Sequence, residues 1–294
     1  MQSLISIKKL VRGERRMAIF PIEKTVKNRI SVRTYEDRPI SKEEKEKILA
    51  YLNQLQNPFG VEVAFKIIET DKAVKTEKLG TYGMIKGAKD FIGATVRESE
   101  LALEALGYSF EELILYITSL GIGTCWLGGS FNRGGFSKAM EVKENDIFPA
   151  ITPIGYPVDK RSMKDSLIRW AAKSDKRKEW EELFFFEDFA TTLKKSVAGE
   201  YAYPLEMLRL APSAANKQPW RVLLKDKAYH FYEAKSLKED KIEIDIQRVD
   251  VGIGTCHFHM AAIEKGLKGK FVKLPASDVI KEEKLTYLFS WVLQ

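Results

Sequence analysis

The sequence predicts an α+β fold made of two related lobes in one chain. Three observations lead to it. At 294 residues, 45% of them hydrophobic and 30% charged, the chain is long enough for two domains of about 150 residues and apolar enough for a substantial core. Helix-compatible and strand-compatible runs alternate along it. The third observation is an internal repeat at about half its length.

Residues 107–126, GYSFEELILYITSLGIGTCW, open with a glycine, continue with a helix-compatible apolar pattern and reach Gly121. Residues 252–271, GIGTCHFHMAAIEKGLKGKF, do the same and reach Gly266, so each glycine pair is 14 residues apart and the two segments are offset by 145. Upstream, 48–68 and 204–224 each contain a helix-like run, a loop with Asn and Pro, and a strand-like run in that order. Any two α+β stretches match loosely, but shared glycine spacing and shared order favour duplication, which takes precedence over other fold arguments. Two diverged copies form the single-chain counterpart of a C2 homodimer, a tandem pseudo-dimer about a pseudo-twofold axis.

The elements follow in order. Ser41, with Glu44 three residues on, makes a capping box for a helix over about 42–55. Residues 61–68 and 90–97 read as strands. A helix is expected over 109–119, begun by Ser109 and stopped by Gly121. A short strand at 151–154 enters the Gly155-Tyr156-Pro157 turn. The second half shows helices near 204–210 and 250–265 and strands near 220–224 and 228–233. Between the halves lies a segment of helical character carrying Trp170, Trp180, Phe184, Phe185, Phe186 and Phe189, expected to pack one lobe on the other. The domain boundaries are an N-terminal extension 1–22, lobe one 23–165, a helical connection 166–200 and lobe two 201–294.

Several classes are excluded. No apolar run approaches the ~20 residues of a membrane span, and the N-terminus has no apolar core of a secretory signal. Gly13-Glu14-Arg15-Arg16 can be encoded by a purine-rich stretch resembling a bacterial ribosome-binding site, so translation is expected to start at Met17. Cys125 and Cys256 build no disulfide framework and read as buried thiols of a cytoplasmic protein. The net charge of +7 permits nucleic-acid, anionic-lipid or phosphorylated ligands. The basic residues, however, are spread along the chain and interleave with Glu, as solvated helix faces do. No zinc-finger or RNA-binding signature is present, so neither nucleic acid nor membrane is an expected partner.

Four strings carry chemistry. Arg29-Ile30-Ser31-Val32-Arg33 places two guanidinium groups and a hydroxyl on one side of an extended segment, a set that matches phosphate oxygens; a basic surface strand carries the same residues. Ala211-Pro212-Ser213-Ala214-Ala215-Asn216-Lys217-Gln218-Pro219-Trp220 follows an apolar helix. Its small residues let a flat ring approach, and Asn216 and Gln218 offer donors and acceptors to a pyrimidine-like edge; a helix end entering a Pro-bounded turn explains only part of it. Gly121-Ile122-Gly123-Thr124-Cys125-Trp126-Leu127-Gly128-Gly129 is a Gly-rich turn whose backbone N–H groups can face a ligand, though it is neither a P-loop nor a dinucleotide fingerprint. Ile151-Thr152-Pro153-Ile154-Gly155-Tyr156-Pro157-Val158-Asp159-Lys160-Arg161 ends in a basic pair, either solvent-facing or a second hand on a phosphate. His257 and His259 are two apart in an expected helix and share no face, so no metal site is read there.

As a set the strings resemble the nitroreductase family of FMN-dependent oxidoreductases, over about 25–165 and 200–270. They look like its R-x-S-x-R segment, its P-S-x-x-N-x-Q-P-W loop, its G-T-C-W-hydrophobic-G-G turn and its I-P-x-G-Y-P strand. The order departs from the usual one. Lobe one has only Asn57-Pro58-Phe59 where the P-S-x-x-N loop belongs, and lobe two lacks the R-x-S-x-R segment. This resembles the subfamily with two fused, complementary half-degenerate lobes. The resemblance implies one FMN per chain, in a site combining Arg29, Ile30, Ser31, Arg33, Trp126, Leu127, Gly128, Gly129, Lys160 and Arg161 of lobe one with Pro212, Ser213, Ala214, Asn216 and Gln218 of lobe two.

By the same resemblance, Arg29, Ser31 and Arg161 hold the phosphate, Arg33 lies near the pyrimidine end of the ring, and the Gly128 N–H donates to flavin N5, the one catalytic contact. The implied cycle is ping-pong: NAD(P)H delivers hydride and leaves, and a nitroaromatic, quinone or similar acceptor takes its place. No side-chain nucleophile is required. A monomeric pseudo-dimer is expected. The alternatives are another flavin reaction on the same fold, or a non-enzymatic flavin-binding role.

Overall fold

The computed structural model describes residues 20–70, 79–158, 176–236 and 244–294. Lobe one begins with helix α1 (Ile22–Asn28) and α2 (Lys42–Leu52). The latter starts at the expected capping box: Ser41 accepts from the Glu44 N–H, and the Glu44 carboxylate accepts from the Ser41 N–H. Strands β1 (Val63–Glu69) and β2 (Asp90–Arg97) precede the long helix α3 (Ala102–Ser119). Then come β3 (Gly123–Thr124), α4 (Arg133–Met140) and β4 (Asp146–Gly155). The four strands form an antiparallel sheet in the order β1-β2-β4-β3.

Lobe two repeats this plan. After β5 (Phe184–Phe186), β6 (Asp188–Thr192) and the short α5 (Lys195–Ala198) come α6 (Ala202–Arg209), β7 (Trp220–Lys225) and β8 (Ala228–Glu233). The long helix α7 (Ile246–Glu264), β9 (Gly269–Val272) and β10 (Thr286–Leu293) complete it. Its sheet runs β6-β5-β7-β8-β10-β9. Without β5 and β6, the order β7-β8-β10-β9 is that of lobe one strand for strand.

The duplication is also visible in atomic detail. Helices α3 and α7 end in the same cap. Gly121 and Gly266 adopt φ of +80° and +69°. Each helix closes with a bond across six residues, Ile122 N–H to Ile117 O and Leu267 N–H to Ala262 O. Where the helices cross, a Cβ on Gly107 would lie 2.1 Å from the carbonyl oxygen of Val249, and one on Gly252 would lie 2.1 Å from that of Glu104. Val249 is the counterpart of Glu104 at the 145-residue offset, so the contact is reciprocal, as an isologous interface requires. The helices are buried side by side in one core that takes Leu113, Ile114 and Ile117 from one and Val251, Phe258 and Met260 from the other. A second core, with Phe91, Phe136 and Phe148, covers the opposite face of the first sheet. Strand β2 is buried on both faces from Asp90 to Val96, so it shows no period-two alternation of apolar and polar residues.

Two expectations are corrected. Helix α3 starts at Ala102, and Ser109 lies inside it, buried and accepting a bond from Asn57 Nδ2. Buried Glu104, Glu111 and Glu112 interrupt its apolar pattern and give it the look of an exposed start. The expected helical connection is largely extended where described: the Phe run forms β5, whose Phe184 pairs in parallel with Val222, and 188–192 forms β6. Aromatic residues fit a pleated, half-buried surface. Their described ring contacts, Trp180 with Phe184, Phe185 with Phe189 and Phe189 with Tyr232, lie on the lobe-two side. Helices α1 and α4 and strands β9 and β10 fall outside the sequence expectations. Met17 and Trp170 lie outside the described residues. No helix of the described residues is long and apolar enough to cross a membrane.

Candidate active site

Three of the four strings meet at one edge of the first sheet. Helix α1 delivers the chain into 29–33, with the Arg29 N–H bonded to Thr25 O. Ser31 then pairs in parallel with Thr124, and the Val32 N–H donates to Thr124 O. Tyr35 pairs with Pro157, through Glu36 N–H to Tyr156 O and Val158 N–H to Thr34 O. Leu127 and Ile151 exchange both backbone bonds, at 2.9 and 3.0 Å. The R-x-S-x-R segment, the glycine turn and the G-Y-P strand are therefore laced together by main-chain bonds. Lys160 and Arg161 lie just past Val158, outside the described residues.

The expected alternation holds. The Ile30 side chain is 41% exposed, whereas Arg29 is 7% exposed. Arg29 Nη1 and Arg33 Nε and Nη1 are buried with no hydrogen-bond partner among the described residues. Buried guanidinium nitrogens left unpaired are costly, and an anion is the ligand that satisfies them.

The glycine turn is held from behind. Because Leu127 O accepts from Ile151, the trans peptide aims the Gly128 N–H away from β4. Arg133 donates to the Gly128 carbonyl at 2.7 Å and to the Phe148 and Pro149 carbonyls, fixing the next peptide. Burial lowers the Arg133 pKa. A Cβ on Gly129 would project into open space, and one on Gly128 would lie 3.2 Å from Ile246 Cδ1 of lobe two. Trp126 points the other way, donating from Nε1 to Glu111 Oε2.

The fourth string comes from lobe two and is strained. Ala215, Asn216 and Gln218 adopt φ of 47°, 55° and 48°, unusual for residues with a Cβ. Side chains hold this shape. Asp250 of α7 takes the Ala214 N–H with both oxygens at 3.0 Å, and Ser213 Oγ accepts from the Gln218 N–H at 2.9 Å. Burial raises the Asp250 pKa well above the usual carboxylate range, with the Ala214 bond opposing. The amides of Asn216 and Gln218 differ from expectation. Gln218 is 2% exposed; its oxygen accepts from the Lys178 N–H, and its nitrogen donates to Asn216. Asn216 donates to Lys176 O and accepts from Arg177. Both amides knit the loop to 176–178, whose proximity the sequence pattern did not signal. Pro212, Ser213 and Ala214, the other expected cofactor residues of the loop, are half-buried. His257 and His259 face different partners, Glu111 and Tyr108, and no metal-binding cluster occurs among the described residues.

The loop before β1 packs into an aromatic cluster that joins the two lobes. The counterpart of Trp126 is Phe271, and the loop before β1 carries Phe59. The Phe59 ring lies 5.0 Å from Phe289, 5.7 Å from Phe271 and 6.3 Å from Tyr108. Asn57 pins the loop through Val61 O and Ser109 Oγ.

A sequence model of the family described as "Putative TM nitroreductase" matches residues 21–262. The chain belongs to this family. Among solved structures, a "putative nitroreductase" from Thermotoga maritima is 20% identical with a TM-score of 0.60, over 98% of this chain and 99% of that one. It shares the fold. A nitroreductase family protein from Clostridium novyi NT is 22% identical, covering 49% of this chain and 90% of that one, with a TM-score of 0.40. A nitroreductase with bound FMN from Bacteroides fragilis is 19% identical, covering 48% and 91%, with a TM-score of 0.40. No curated protein matches the sequence.

Proposed function

We propose that the protein is a cytoplasmic FMN-dependent oxidoreductase that takes hydride from NAD(P)H onto flavin N5 and passes it to a nitroaromatic, quinone or similar acceptor. The observation that carries this is the set of buried, unpartnered guanidinium nitrogens on Arg29 and Arg33, within a family of nitroreductases. Bound FMN supplies the hydride-accepting chemistry. The chain binds and orients it. Arg29 and Ser31, with Lys160 and Arg161, hold the phosphate; Arg33 places positive charge at the pyrimidine end of the ring. The Gly128 N–H, aimed by the Leu127–Ile151 pair and braced by Arg133, donates to N5. The 212–218 loop closes the site from lobe two, with its strained backbone held by Asp250 and Gln218. Lobe two has no counterpart of the R-x-S-x-R segment and lobe one no full P-S-x-x-N loop, which supports a single site per chain.

The test is the visible spectrum of the purified protein with released flavin quantified. Bands near ~370 and ~450 nm, about one FMN per chain and bleaching on NAD(P)H addition are expected. Steady-state rates with a quinone should give parallel double-reciprocal lines. A colourless protein that takes up no added FMN overturns the reading, and two FMN per chain overturn the single composite site.

A further inference from the structure

A charged group at the centre of the lobe interface plays no part in the contacts assigned above. Glu111 on α3 is fully buried, with Oε1 2.9 Å from Nε2 of His257 on α7. Its Oε2 accepts from Trp126 Nε1 at 2.6 Å. His257 Nδ1 lies 3.1 Å from the carbonyl oxygen of Met207. A carbonyl only accepts, so Nδ1 carries a proton and Nε2 is left to bond Glu111. Arg29 Nε lies 3.9 Å from the same Glu111 oxygen. The chain of contacts runs from Arg29 through Glu111 and His257 to α6, the helix that leads into the 212–218 loop.

The pair is also asymmetric. The 145-residue offset maps Glu111 onto Cys256 and Glu112 onto His257, so the mirror side carries no Glu–His pair. There Glu112 accepts from the Tyr51 hydroxyl at 2.9 Å instead. The glycine crossing is kept in both halves, but the Glu–His pair stands only on the side of Arg29. Buried polar pairs are weak stabilisers compared with apolar packing, so confinement to that side points to binding rather than to holding the lobes together.

We propose, resting on the FMN reading above, that Glu111, locked by His257, is the positioning residue that aims the Arg29 guanidinium at the FMN phosphate. Phosphate capture by lobe one then depends on docking of lobe two. The test compares FMN and riboflavin dissociation constants, by flavin fluorescence, for wild type, Glu111→Gln and His257→Gln, with Arg29→Lys as the reference and Tyr51→Phe as a mirror-side control. Riboflavin has the ring without the phosphate. A structural defect weakens both flavins alike, whereas misplacing Arg29 weakens FMN alone. Glu111→Gln and His257→Gln should each lose about tenfold of the FMN-over-riboflavin preference, a loss shared by Arg29→Lys and absent from Tyr51→Phe. Should Glu111→Gln fail to fold, His257→Gln decides. A wild type with no preference for FMN overturns the phosphate reading itself. A wild type that prefers FMN while the folded variants retain that preference overturns the role of Glu111 and leaves the FMN reading standing.

Discussion

Replacing Gly252 with alanine tests the architecture at its tightest point. The added Cβ would lie 2.1 Å from the Glu104 carbonyl oxygen, where ordinary contact begins at 3.4 Å. The helices must separate there by about 1.3 Å, and the obstacle is backbone, so no rotamer change relieves it. Overpacking of this kind costs about 3 kcal/mol, and the better helix propensity of alanine returns about 1 kcal/mol. The net loss of about 2 kcal/mol corresponds to a melting temperature roughly 3 °C lower for a chain of this size. Scanning calorimetry reads it directly. Gly107→Ala, the reciprocal change, should behave alike, because its Cβ meets the Val249 carbonyl at the same 2.1 Å. Gly134→Ala is the control: its Cβ has nothing nearer than 3.7 Å, so it should be neutral or mildly stabilising. Gly252→Ala or Gly107→Ala melting at or above wild type would refute the close reciprocal crossing.

Three further outcomes are expected. Arg33→Ala should weaken FMN about tenfold or more while changing the melting temperature of the flavin-free protein little, since two of its buried nitrogens bond nothing among the described residues; equilibrium titration of both states checks this. Phe59→Ala should lower stability by about 2–3 kcal/mol in a denaturant titration, yet leave released flavin at one per chain, because it removes aromatic packing and no residue of the candidate site. Burial, reinforced by the neighbouring Asp245 carboxylate, pushes Glu233 up to about 7 from 4.5. The folded state therefore holds that proton more tightly than the unfolded chain, so this stabilisation is complete below about pH 4.5 and is lost as pH rises through about 7. Glu233→Gln should accordingly flatten the fall in melting temperature between about pH 4.5 and 7, and an unchanged slope would remove Glu233 from the cause.

The candidate site was legible in parts. The R-x-S-x-R segment could be read because alternation along an extended chain places Arg29 and Arg33 together and Ile30 outward. The main-chain pairing of that segment with Thr124, and of Tyr35 with Pro157, joins residues some 90 to 120 positions apart, which no local pattern encodes. Asn216 and Gln218 carry the right chemistry for a ligand edge, but their amides are taken up by 176–178. Sequence lists the donors a residue owns, and only the tertiary structure says where they are spent. Glu111, Arg133 and Asp250 gave no local signal, since each acts through a partner distant in sequence.

The sequence alone determined the duplication. Glycines 14 residues apart in each half mark two helices that must approach closely and stop in a left-handed turn, and those demands are local: no Cβ, positive φ. It also determined the capping box at Ser41 and the strands near 220–224 and 228–233 of lobe two, which pair as a hairpin. The tertiary structure decided the rest. It showed that the Phe run joins a sheet, that helix α3 carries three buried glutamates, and that Phe59 joins an aromatic cluster while Arg29 and Arg33 keep guanidinium nitrogens unpaired among the described residues. The physical reason is that burial and pairing are properties of two surfaces meeting, and each half of this chain holds only one of them.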